Sequence, residues 1–125
     1  MKILLVDDDV LLARGASKLL ARLGEHQVET TASPETVFEK CHTETIDLLI
    51  IDVNLPGAMW QGQEINGVEI SRLLKEDPET AHIPIVLITA YGSANDQDAL
   101  LTASRADHFW VKPIGDYQKL LDLVK

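Results

Sequence analysis

Four short apolar runs in this chain each end in a residue that carries chemistry. Ile3 to Val6 runs into Asp7-Asp8-Asp9, Leu48 to Ile51 into Asp52, Ile85 to Ile88 into Thr89-Ala90, and Phe109 to Val111 into Lys112-Pro113. Runs of this length, bounded by polar or proline signals, read as buried strands. Strands paired in parallel line up their carboxyl ends along one edge, and open α/β sheets place their sites there. The pattern therefore predicts one cluster of carboxylates, a hydroxyl and an ammonium, with Asp52 at its centre.

The segments between the runs supply the helices. Leu11, Leu12, Ala16, Leu19, Leu20 and Leu23 recur at helical spacing, with Asp9 as N-cap and Gly24 as the stop. Gln27 to Thr31 alternates as a further strand, and Ser33-Pro34-Glu35 opens a helix that runs to about Thr43. A third helix starts near Gly67, with Val68, Ile70, Leu73 and Leu74 as its apolar face, and ends before Asp77-Pro78. Helices from about Ala94 to Ser104 and from Asp116 onward complete the alternation. Five strands alternating with five helices imply an α/β fold, a doubly wound parallel sheet of order 2-1-3-4-5 with right-handed crossovers.

The chain of 125 residues has the size of one domain, and residues 1–125 are expected to form it without a linker. A formal charge of -9 opposes direct binding to nucleic acid, whose affinity for proteins comes largely from Lys and Arg neutralising phosphates. No run is long enough to cross a membrane, and Met1-Lys2 leads straight into a strand rather than a secretory signal. The single Cys41 lies on a predicted helix and reads as a small semi-buried residue. A cytoplasmic setting is expected.

Like carboxylates repel, so Asp7, Asp8 and Asp52 in a partly buried site need protons or a cation, and Mg²⁺ (or Mn²⁺) meets that need. Beside such an ion an aspartate becomes a nucleophile toward phosphorus. Lys112 would neutralise the transferring oxygens, and Thr89 would donate a hydrogen bond to one of them.

Together, Asp7-Asp8, Asp52, Thr89-Ala90 and Lys112-Pro113, in this order on these strands, resemble the receiver domain of two-component response regulators, in its chemotaxis-regulator-like single-domain form on a flavodoxin-like fold. The resemblance covers the whole chain. It implies that Asp52 is the phosphoacceptor, that Asp7 and Asp8 are metal-site carboxylates, and that Asn54 lends its backbone carbonyl to the ion. It further implies that Thr89 is the switch hydroxyl, Lys112 its charge partner, and Phe109 the aromatic that changes rotamer with it. Pro113 is expected to follow a cis bond. The implied partners are a sensor histidine kinase or histidine phosphotransfer protein upstream and a protein target or effector domain downstream. The responding surface would be the fourth helix, fifth strand and fifth helix. The protein would then be a regulator rather than an enzyme, limited to its own phosphorylation and dephosphorylation.

Three departures from the family pattern stand out. The stretch of about 57–65 behaves as an insertion, since connections after a strand in α/β units usually run about 2–6 residues. Trp60, beside Met59, is expected to fold back over this loop, the alternative being an anchor for a partner. Arg105 stands where the family has glycine in the turn before the last strand, and Tyr91 is bulky enough to hinder a hydrolytic water.

The alternative function is a small Mg²⁺-dependent aspartyl-phosphate phosphatase of the haloacid-dehalogenase type. Its nucleophile should lie after the first strand in a D-x-D-x-[TV] motif, which Asp7-Asp8-Asp9-Val10-Leu11 does not complete. A flavin-binding module is opposed by the aspartates, which would repel the cofactor's phosphate. A non-phosphorylated interaction domain is disfavoured by the complete set of acceptor-site elements.

Overall fold

Alternating side chains of the central strands feed two cores. Leu4 and Val6, Leu49 and Ile51, and Ile85 and Leu87 point to one face of the sheet, whereas Ile3 and Leu5, Leu48 and Ile50, and Val86 and Ile88 point to the other. All twelve are at most 1% exposed, which is why these strands read as continuous apolar runs. The computed structural model describes residues 1–90, 94–112 and 114–124, without the side chains of 94 and 95.

The order of elements is β1 (Lys2–Val6), α1 (Val10–Arg22), β2 (Gln27–Thr31), α2 (Pro34–Thr43), β3 (Leu48–Asp52), β4 (Met59–Trp60), β5 (Gln63–Glu64), α3 (Gly67–Glu76), β6 (Ile85–Thr89), α4 (Ala94–Ser104), β7 (His108–Val111) and α5 (Tyr117–Asp122). The main sheet is parallel throughout, in the order β2-β1-β3-β6-β7. Counting only its five strands, this is the expected order 2-1-3-4-5. Helices α2 and α3 cover one face, α1 and α5 the other, and α4 packs beside α3, where the Ser71 hydroxyl donates to the Ser104 carbonyl at 3.0 Å. None of the described helices is long and apolar enough to cross a membrane.

The caps follow the local sequence. Asp9, Ser33, Asn66 and Asp116 each accept a backbone N–H in the first turn of a helix, and Asn66 with Glu69 closes a full capping box.

Three expectations are corrected. The apolar face of α1 is narrower than its periodicity suggested. Ala13, Ala16 and Leu20 are buried, whereas Leu11 is 79%, Leu19 46% and Leu23 41% exposed. The 57–65 stretch, read as an irregular insertion, contains a β-hairpin in which Met59 pairs with Glu64 and Trp60 with Gln63. Gln61 and Gly62 both have positive φ (51° and 80°), as a tight two-residue turn of the type I′ kind requires. Trp60 leans across onto helix α2, its ring centroid 4.4 Å from that of Phe38. It is half-buried, but the surface it shields belongs to the domain rather than to its own loop, which corrects the expectation that it folds back over that loop. Arg105 takes φ 57°, the left-handed conformation that glycine adopts without strain. Tyr91 and Pro113, with the expectations attached to them, lie outside the described residues.

Candidate functional site

Strand register brings the four strand tips together. Val6 pairs with Ile51, Asp52 with Ile88, and Thr89 with Val111, so Asp7, Asp52, Thr89 and Lys112 all emerge along one edge. They line a cavity of about 220 Å³ with Asp8, Asp9, Asn54, Pro56 and Ala90. Asp7, Asp52 and Thr89 are buried, Asp8 and Asn54 exposed, and Lys112 half-buried. The site is thus a pocket with a charged floor and an open acidic rim.

Lys112 spans it. From the end of β7 its Nζ donates to Asp52 Oδ2 at 2.6 Å and to Asp7 Oδ2 at 2.8 Å, reaching past β6 to the two central strands. Its backbone N–H donates to the Thr89 carbonyl at 2.7 Å, which fixes where the side chain starts. The remaining carboxylate oxygens are held locally: Asp7 Oδ1 accepts the Asp9 N–H at 2.9 Å, and Asp52 Oδ1 accepts the Asn54 N–H at 3.0 Å. Both acids are therefore oriented by the backbone that follows them.

The electrostatics are unbalanced by design of the pocket. Burial pushes the Asp52 carboxyl above its ordinary range, and the Asp7 charge adds to this. The hydrogen bonds from Lys112 and Asn54 offset only part of the rise. For Lys112, burial alone would lower the ammonium, but its bonds to Asp52 and Asp7 outweigh that and raise it. Three acids facing one ammonium leave room for a divalent cation. One oxygen from each of Asp7, Asp8 and Asp52 lies within 4.8 Å of the others, and an all-oxygen donor set suits a hard ion such as Mg²⁺. The residues present therefore fit the expected metal.

Sequence reasoning marked Gly67 only as the start of a helix and missed its role at the site. An added Cβ there would lie 2.1 Å from the Asp52 carbonyl oxygen and 2.9 Å from Ile51 Cγ2, and the Gly67 N–H donates to the Val53 carbonyl at 3.0 Å. Helix α3 thus starts directly against the backbone that carries Asp52, a contact only glycine allows. Phe109 is half-buried, pairs with Leu87 and packs on the α2/α3 core. Cys41, expected to be semi-buried, is buried in the same core, which pushes its thiol up to about 11.

This geometry can be set beside known proteins. Response regulator PleD of Caulobacter vibrioides is 34% identical over 116 residues, covering 92% of this chain and 23% of its own length. Indeed, the chain spans about a quarter or less of the length of several of the curated relatives it matches. A response regulator structure from Chloroflexus aurantiacus superposes with a TM-score of 0.79 at 28% identity, covering 98% of this chain and 96% of the other. The receiver domain of a sensor histidine kinase from Pseudomonas aeruginosa, with a magnesium ion coordinated in its active-site cleft, shares the fold at TM-score 0.79 and 21% identity, covering 98% and 93%. The family model of the response regulator receiver domain matches residues 3–125. With fold, strand-tip chemistry and sequence in agreement, this chain belongs to the response regulator receiver domain family of two-component systems.

Proposed function

We propose that this chain is a phosphorylation-driven signalling switch with Asp52 as the phosphoacceptor. The observation that carries this reading is the ammonium of Lys112, shared between Asp52 and Asp7 at the edge of a pocket that Thr89 and Asp8 also line. Receiver domains of this family are phosphorylated by histidine kinases, so the donor is a phosphohistidine on a sensor kinase or a phosphotransfer protein.

In the transfer, the phosphohistidine N–P bond breaks as a P–O bond forms to an Asp52 carboxylate oxygen, and the imidazole leaves. Asp7, Asp8 and Asp52 would hold Mg²⁺ together with the Asn54 carbonyl, and the ion supplies neutralisation of the charge on the transferring oxygens. Lys112 supplies the second cation. Once the phosphoryl group is in place, Lys112 pairs with it and the Thr89 hydroxyl donates to one of its oxygens. The Phe109 ring, packed beside Leu87, then follows the movement of β6. The change spreads to the surface of α4, β7 and α5, which a downstream protein target or effector domain reads. Only contacts that differ between the two states make this a switch.

The test is phosphotransfer from a radiolabelled histidine kinase, followed by amide NMR. Label should reach the wild type and not Asp52→Asn, and shifts should extend from β6 to α4 and β7. Label in Asp52→Asn equal to the wild type contradicts the assignment.

A further inference from the structure

On the far side of α2 from its cap, a second set of ligand-bearing side chains meets. His42, in the last turn of α2, and Asp77 and Glu79, in the turn after α3, bring one donor atom each within 4.8 Å of one another. His42 Nε2 lies 2.7 Å from Asp77 Oδ2 and 3.8 Å from Glu79 Oε2.

The orientation of the imidazole is fixed from outside this set. His42 Nδ1 lies 2.7 Å from the Phe38 carbonyl oxygen, which can only accept, so Nδ1 carries the hydrogen. Nε2 then faces Asp77 with its lone pair unless a cation stands between them, because a carboxylate also only accepts. That cation is a proton or a metal ion. A histidine whose other nitrogen donates to a backbone carbonyl is the arrangement that metal-binding histidines use, since it sets the tautomer and the ring plane.

We propose that His42, Asp77 and Glu79 form a second cation site, which takes a borderline divalent transition metal such as Zn²⁺ and ties the end of α2 to the turn that leads into β6. An imidazole with two carboxylates suits Zn²⁺ rather than Mg²⁺, which prefers oxygen alone. These two trios thus differ in chemistry: an all-oxygen set at the sheet edge, and a nitrogen-oxygen-oxygen set here. Asp77 binds through Oδ2, because its Oδ1 already accepts the Glu79 N–H at 2.9 Å. Tetrahedral zinc ligands stand about 3.3 Å apart, so the His42–Asp77 gap of 2.7 Å opens by about 0.6 Å. Glu79 closes in from an exposed position, its side chain 78% accessible.

Glu35 and Glu39 sit two turns and one turn earlier on the same face of α2, and with His42, Asp77, Phe38 and Trp60 they line one groove of about 640 Å³. Three protein ligands leave a fourth position of the ion open to water or to a partner's side chain.

Calorimetric titration of Zn²⁺ into the protein, in excess Mg²⁺ to occupy the all-oxygen pocket, tests this. The wild type should take up one equivalent, with His42→Gln weakening binding at least about tenfold and Glu79→Gln weakening it by a smaller factor. Added Zn²⁺ should also raise the Tm of the wild type and not of His42→Gln. Since Glu79 is a surface side chain, Glu79→Gln keeps the fold and serves where His42→Gln does not. The inference is overturned if the wild type takes up no Zn²⁺, or if it binds equally well in both variants.

Discussion

Removing the charge of Lys112 while keeping its stem, as Lys112→Met does, isolates what the ammonium contributes. The side chains of Asp7 and Asp52 are 0% and 8% exposed and that of Lys112 15%, so the variant leaves two carboxylates buried with no partner cation. Breaking a buried pair from one side destabilises by about 3–5 kcal/mol, and the open rim of the pocket argues for the lower end, about 3 kcal/mol. With an unfolding entropy of about 2.1 cal/mol/K per residue, 125 residues convert this into a fall in Tm of about 11 °C. The assay is thermal unfolding followed by circular dichroism, in chelator. Two further dependences follow from the same cause. Excess Mg²⁺ should restore part of the loss, because it supplies the missing positive charge. Lower pH should restore part as well, because the unpaired carboxylates then take up protons in the folded state. The folded-state pKa of Lys112 is raised, so its own contribution is fully present at neutral pH and fades only as pH rises through that value. A variant melting within about 3 °C of the wild type in chelator would refute the claim that this ammonium holds the pocket together.

Three other perturbations probe the site and its supports. The folded-state pKa of Asp52 is raised, so the native chain binds the extra proton and stability falls as pH climbs through the window above the ordinary carboxylate value; without metal at neutral pH, Asp52→Asn should therefore resist urea better than the wild type, the gap closing on acidification. Gly67→Ala forces a methyl group into the Asp52 carbonyl and should lose about 1–3 kcal/mol in denaturant titration, together with slower phosphoryl acceptance as the strand tip shifts. Trp60→Ala should lose about 2 kcal/mol through its half-buried ring and the contact with Phe38, yet leave the rate of acceptance unchanged, since the hairpin packs on α2 rather than on the acceptor pocket.

The strand tips were legible in the sequence because buried parallel strands leave an uninterrupted apolar signal, and the residue after each run is fixed in space by register. Asp9 and Ser33 were legible as caps because capping is local. What escaped is nonlocal. The close approach of Gly67 to Asp52 joins residues with a hairpin folded between them, and nothing beside Gly67 announces it. The hairpin itself has only two residue pairs, too short for an alternating pattern, and its turn lacks the Asn-Gly or Asp-Gly signature. Its position rests on Trp60 meeting Phe38. In α1, Leu11, Leu19 and Leu23 share the helical period with Ala13, Ala16 and Leu20, and periodicity alone does not tell which stripe the sheet covers. His42 and Asp77, 35 residues apart, likewise meet only once the fold is formed.

Intact-protein mass spectrometry after incubation with acetyl phosphate and Mg²⁺ tests the central claim most directly. The account predicts one labile phosphoryl adduct per chain in the wild type, absent from Asp52→Asn and absent when Mg²⁺ is chelated. A folded, Mg²⁺-loaded wild type that stays unmodified, or an adduct that persists undiminished in Asp52→Asn, would contradict it.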